Sequence, residues 1–247
     1  MADLFTSDLL MFILIGFGAQ LIDGALGLAF GLLTTSSLLA MGVPPATASA
    51  MTHLTECFTT AASGASHAYH RNIDWRLVAR LAPAGMVGGA AGAYVLSSID
   101  GDAIAPFVSV YLIAIGLYIV WKGIRNRQGR QMNDRAVPAV AATGGFLDAI
   151  GGGGWGPMVT STLLGRGHEV KKVIGSTNLT EFAVTLVISA TFILTLGLAE
   201  LQSAIGLIIG GVIAAPIGAV LLKHIPSRPL MIAVGVILIG TAAVRFF

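Results

Sequence analysis

The chain repeats itself at a separation of 125 residues. Laid over itself at that offset without a gap, "DGALGLAFGLLTTSSLLAMGVPPATASAMTHLTECFTT" (23–60) pairs with "DAIGGGGWGPMVTSTLLGRGHEVKKVIGSTNLTEFAVT" (148–185). Asp23/Asp148, Gly27/Gly152, Gly31/Gly156, Thr35/Thr160, Thr52/Thr177, Thr55/Thr180 and Glu56/Glu181 are identical pairs. A duplication this long means two structural halves, and any fold for the chain must accommodate both.

What the halves are made of places them in a bilayer. The sequence is 55% hydrophobic and 11% charged, where soluble domains carry about a quarter charged residues. At about 20 residues per helix, the 247 positions hold roughly seven to ten crossings and no separate soluble domain. The chain reads as a single transmembrane domain over 1–247. The opening "MADLFTSD" has two acids and no Lys or Arg, unlike the basic start of a cleaved signal, so the first hydrophobic segment is expected to stay. One cysteine, Cys57, excludes an intramolecular disulfide and a Cys-cluster centre. A net charge of +2 does not suggest nucleic acid as a partner.

Each half parses alike. Residues 8–41 and 137–165 are apolar but interrupted by glycines and an aspartate, so each is expected to form two short helices meeting at an elbow. Sixteen helical residues rise roughly 24 Å against a hydrocarbon core of about 30 Å, so neither limb spans comfortably. Three ordinary spans follow in each half, at 46–70, 76–97 and 103–122, then at 171–196, 201–222 and 229–246. Repeat 1 is 8–122, repeat 2 is 137–246, and the linker 123–136 belongs to the polar stretch "KGIRNRQGRQMNDR". If each elbow segment is a hairpin, the basic residues Arg71, Arg76, Arg80, the linker cations, Arg166, Lys171, Lys172, Lys223 and Arg228 fall on one side, as the positive-inside rule asks. Asp3, Asp8, Asp100, Asp102 and Glu200 fall on the other, with Arg245 as the exception. The linker is then cytoplasmic and the N-terminus periplasmic. A hairpin plus three crossings is an odd number, so the second half enters upside down. The expected fold is an all-α polytopic membrane protein of two inverted repeats, each a broken-helix hairpin plus three transmembrane helices.

Inverted repeats with interrupted helices belong to secondary transporters, which bind substrate near the midplane where the repeats meet. A break exposes backbone donors and acceptors that hydrocarbon cannot satisfy, so it must face protein or a water-filled cavity. In "GGGGWGP" (151–157) the glycines permit close approach of a ligand, and Pro157 suits the first turn of a half-helix whose free N–H groups attract an anion. Gly27, Gly31, Gly152, Gly153, Gly154 and Trp155 are therefore candidate binding positions, although glycines can also serve helix packing alone. Glu56 and Glu181 sit near mid-span, where an ionised side chain costs roughly 3 kcal/mol or more. A carboxyl that alternates between protonated and ionised forms could couple proton flow to transport; the bland reading is a protonated hydrogen-bond strut. His53 and Asn178 lie one turn before the glutamates on the same face, with Thr52 and Thr177 beside them, and join the candidate binding set. Asp23 and Asp148 stand at the elbows, either as caps of the following half-helices or as proton-coupling groups. His67 and His70 continue the polar stripe of the first half as a candidate access path. No compact ligand cluster for a metal is visible, and no cofactor is implied.

The duplicated halves, "LDAIGGGGWGPMVTSTLLGRGH" and "IGSTNLTE" resemble the TauE/SafE sulfite exporter family. The likeness covers nearly the whole chain and is strongest over 143–185. It implies a bacterial inner-membrane protein moving sulfite, sulfoacetate or a related small sulfur-containing anion out of the cytoplasm. The first copy, "LGLAFGLLTTS", departs from the family pattern by lacking the glycine run and the proline after Gly31. Together the residues and the resemblance predict a secondary transporter for such an anion, in a lipid bilayer, with protons as a candidate coupling ion and a homodimer left open. The alternatives are a cation or proton transporter using the midplane carboxylates, a passive channel, or an intramembrane enzyme. The last is disfavoured because no nucleophile motif is present and a duplicated site suits two-sided access.

Overall fold

The computed structural model describes residues 2–26, 28–125, 134–164, 170–198, 204–221 and 227–244, and among these every regular element is helical. The first half contains α1 (Ala2–Leu26), α2 (Phe30–Ala40), α3 (Pro45–Tyr69), α4 (Trp75–Ser98) and α5 (Gly101–Arg125). A 3₁₀ turn (Asp134–Ala136) leads into the second half. That half comprises α6 (Val137–Gly151), a π turn (Gly156–Thr160) running into α7 (Ser161–Leu164), then α8 (Val170–Leu196), α9 (Ala204–Leu221) and α10 (Ser227–Ala243). Helices occupy all six expected spans; the expected ends at 201, 222 and 246 lie outside the described residues.

Local sequence explains where the helices start. Pro45 opens α3, where its missing N–H costs nothing. Asp74 Oδ1 accepts Arg76 N–H at 2.9 Å and Leu77 N–H at 3.3 Å to cap α4, and Asp100 Oδ1 caps α5 through Asp102 and Ala103. Both elbows are broken as predicted, with one difference in each. The first limb, α1, runs 25 residues, about 37 Å at helical rise, instead of being short. Its apolar part is only Leu9–Asp23, but nothing in the polar residues before it stops a helix. In the second half, the outgoing limb begins as a π turn rather than a plain α-helix, an irregularity that clusters at functional sites.

The main packing pairs are α1 with α9, α4 with α6, α5 with α10 and α3 with α8. Exchanging the halves converts the first pair into the second and leaves the other two unchanged. Two glycine seams make the exchanged pairs tight. A Cβ at Gly88 or Gly92 of α4 would strike the carbonyls of Ala142 or Phe146 on α6, and one at Gly206 or Gly210 of α9 would strike α1 at Phe12 and Leu9 or at Ile13. Each seam is a G-x-x-x-G spacing, which lets helix backbones approach in lipid.

Polarity is inverted relative to a soluble domain. Phe107, Leu117, Val87, Leu194 and Val212 are exposed, whereas Thr34, Thr35, Ser49, Thr52, His53, Glu56, Asp148 and Thr180 are buried. Water outside would penalise such a rim, and lipid would not. The core therefore collects the groups that hydrocarbon rejects.

Candidate substrate cavity

The two elbows are built by the same device. Asp23, in the last turn of α1, accepts Ala29 N–H at 2.7 Å and Phe30 N–H at 3.1 Å through Oδ1. Asp148, near the end of α6, accepts Gly154 N–H at 2.6 Å and Trp155 N–H at 2.9 Å through its own Oδ1. These acceptors and donors are equivalent positions of the duplication. Each carboxylate thus answers the N–H groups that its broken helix exposes, and the capping geometry anticipated for Asp23 and Asp148 is present in both halves.

The elbows also meet each other. Thr35 Oγ1 of α2 donates to Gly152 O at 3.1 Å and lies 2.8 Å from Thr52 Oγ1 of α3. Gly152 takes a left-handed φ of 65°, closing α6, and a side chain there would collide with Thr35. A Cβ at Gly31 would come within 2.5 Å of Gly152 O and 2.6 Å of Glu56 Oε1. The glycines are needed because two interrupted backbones touch.

Beside this contact lies a cavity of about 620 Å³, lined by Asp23, Gly31, Asp148, Gly153 and Gly154 from the elbows and by Glu56, Asn178 and Glu181 from α3 and α8. This volume falls within the range of small-molecule sites. Gln20, Thr60, Ser63 and His67 extend the lining, and among the described residues no Lys or Arg takes part. Two buried polar atoms in the wall, Gln20 Oε1 and Glu56 Oε2, have no hydrogen-bond partner. Buried polar groups are ordinarily satisfied, so these are free to engage something in the hollow.

Several predicted binding residues stand behind the wall instead of in it. Trp155 is fully buried and donates from Nε1 to Thr177 O at 3.2 Å, while the Thr177 hydroxyl bonds carbonyls of its own helix. His53 is fully buried; its Nδ1 lies 2.8 Å from Ser49 O and its Nε2 lies 3.3 Å from Asp148 Oδ2. Thr52 and Gly152 are likewise outside the lining. His67 is at the cavity, whereas His70 is exposed at the end of α3 against Tyr69. Gly27 lies outside the described residues, as do Arg127, Arg130, Arg166, Glu200, Lys223 and Arg245 of the charge pattern.

Two participants were not foreseen. Tyr111 of α5 packs against Gly151 and Gly154 and directs its hydroxyl to Gly153 O at 3.4 Å; Gln20 lines the cavity from α1. Nothing in the sequence marks either, since a lone Tyr or Gln in an apolar run is common at helix contacts. The structure also supplies a compact donor set where none was expected: ligand atoms of His53, Glu56 and Asp148 all lie within 4.8 Å of one another. His53 and Glu56 come from one half and Asp148 from the other, 95 positions beyond His53, so local spacing could not reveal it.

A helical protein with a lipid-compatible rim, a polar interior and a hollow between two interrupted segments is a multi-pass membrane transporter by class. Comparison with known proteins agrees. The profile of the family described as "Sulfite exporter TauE/SafE" matches residues 12–245, and the chain belongs to that family. It is also 39% identical over 236 residues to the "Probable membrane transporter protein YtnM" of Bacillus subtilis (strain 168), covering 92% of this chain and 79% of that one. No solved structure matches it.

Proposed function

We propose that the protein is a secondary transporter that exports a small sulfur-containing anion, such as sulfite, sulfoacetate or a similar organosulfonate, across a bacterial inner membrane. The observation that carries this reading is the cavity bounded by both capped elbows and by the two "TxLTE" carboxyls, Glu56 and Glu181. Asn178 and the hydroxyl of Ser63 offer donors to oxyanion oxygens, beside two elbow helix starts whose dipoles favour an anion. The two-fold pattern of helix packing supports two repeats, at 8–122 and 137–246; the distribution of Lys and Arg favours an inverted pair with the linker 123–136 cytoplasmic and the N-terminus periplasmic. In this reading the cavity lies at the midplane and is reached from either face as the halves rock.

Proton coupling through Glu56 and Glu181 is the second part of the proposal. Purified protein in proteoliposomes tests both parts: labelled sulfite or sulfoacetate should exchange, and an imposed proton gradient should drive net flux. Glu181→Gln should keep exchange while losing its response to the gradient. Wild-type vesicles that move no sulfonate or sulfite remove the substrate assignment, and a Glu181→Gln variant still driven by the gradient removes the coupling role. One observation favours a rival: among the described residues, four carboxyl groups and no Lys or Arg face the cavity. A cation or proton carrier would show charge movement from sodium or metal salts, with none from sulfonates.

A further inference from the structure

The contact between His53 and Asp148 is incomplete as drawn by its own hydrogen bonds. Ser49 O can only accept, so the 2.8 Å contact with His53 fixes a proton on Nδ1. In the neutral ring Nε2 then carries a lone pair, and it faces Asp148 Oδ2 at 3.3 Å. Asp148 is itself held in place, because Oδ1 receives the elbow N–H groups of Gly154 and Trp155. Two acceptors confront each other, and something positive belongs between them. A proton shared by Nε2 and Oδ2 would serve this pair, but it would leave the buried Glu56 Oε2 without any partner, although a carboxylate oxygen of Glu56 lies within 4.8 Å of both. One cation serves all three.

We propose that His53 Nε2, Glu56 and Asp148 Oδ2 form a binding site for a single divalent cation of the zinc, cobalt and nickel type. The mixed nitrogen and carboxylate donor set selects that class over sodium or magnesium. A tetrahedral ion with bonds near 2.1 Å holds its ligand atoms about 3.4 Å apart, close to the observed His53–Asp148 separation of 3.3 Å. The supporting bonds have the form that ligating groups take. The imidazole donates its other N–H to a backbone carbonyl, and the carboxylate receives hydrogen bonds on its second oxygen. Ser49 Oγ in turn donates to Ala149 O at 2.6 Å, tying the histidine's helix to the elbow of the opposite half. Glu56 and Asp148 line the cavity, so a fourth coordination position opens into it. A dication there balances the two carboxylates in a wall to which no described Lys or Arg contributes. The second half holds no equivalent site, because Asn178 stands where His53 stands in the first.

The proposal does not depend on the export reading, and its test uses no transport. The full chain, purified in detergent through a tag without histidine and stripped with chelator, is titrated with Co²⁺. The expected result is saturable binding of one ion per chain with visible d–d absorption of a low-coordinate site. His53→Asn, which installs the residue of the other half, and Glu56→Gln should each weaken binding by about 100-fold or more, beyond the effect of losing an outer-shell partner. His70→Asn, at the exposed end of α3, should bind as wild type does. Binding that survives both His53→Asn and Glu56→Gln overturns the proposal. So does folded wild-type protein that shows no saturable band, in which case a shared proton alone holds His53 to Asp148. If either ligand variant does not fold, the wild-type titration still decides.

Discussion

Asp148→Ala removes the carboxylate on which the second elbow depends. Gly154 and Trp155 then lose the acceptor held at 2.6 and 2.9 Å, in a region where Gly154 and Trp155 are buried. Each stranded N–H costs about 1–3 kcal/mol, so the pair costs about 4 kcal/mol. At about 2–4 °C per kcal/mol for a chain of this size, the apparent Tm should fall by about 8–16 °C. Asp148→Asn keeps one oxygen for both donors but loses its charge, and should fall by about half as much. Asp23→Ala strands the equivalent pair at 2.7 and 3.1 Å and should resemble Asp148→Ala. The protein supplies its own reporter, since its one cysteine, Cys57, is buried and reacts with a thiol-sensitive fluorophore only on unfolding. Thermal ramps of the four proteins in the same detergent give the order. If Asp148→Ala and Asp23→Ala both melt within about 2 °C of wild type, the carboxylates do not hold the elbows, and the account of how broken helices survive here is wrong.

Three further outcomes follow from the packing. Gly88→Ala would press a methyl group into Ala142 O, whereas Gly18→Ala on α1 meets nothing within 4 Å; thermal ramps should show the first destabilised and the second neutral or stabilised by about 0.5–1 kcal/mol. Thr35→Val removes the hydroxyl between Gly152 O and Thr52, and should cost about 1–2 kcal/mol in the same assay while slowing substrate exchange. Trp155→Phe deletes the 3.2 Å bond to Thr177 O without emptying the site; a loss of about 1 kcal/mol with little change in apparent substrate affinity would match a side chain that braces the wall from behind.

The spans were readable because hydrocarbon imposes length and apolarity on every helix. The elbows were readable for the opposite reason: only a protected break tolerates "GGGGWGP" in an apolar run. Which side of the wall a residue occupies was not readable. Trp155 and Asn178 both flank the elbows, yet the indole turns away to Thr177 O while the amide faces the cavity. That choice is made by rotation of packed helices, on which a single sequence is silent. Tyr111 reaches the elbow from α5, some 40 positions away, for no reason its neighbours display. The length of α1 was missed because hydropathy marks where lipid begins, not where a helix ends.

The duplication makes the differences between the halves more telling than the likenesses. Both halves keep the aspartate cap at the same two N–H groups, which any broken helix in lipid requires, so this feature speaks to survival of the fold. The second half alone has the glycine run, the π turn and Tyr111 against its elbow, and it alone meets a histidine from the partner half. At the equivalent position of the second half stands Asn178, an amide that can hydrogen-bond but offers no imidazole nitrogen to a metal. An imidazole has therefore been placed at one elbow and not the other, although both carry the same aspartate cap. Structure alone would be served equally well by two asparagines. The His53–Asp148 contact is thus where the two halves differ in chemistry, and the first elbow keeps the cap without it.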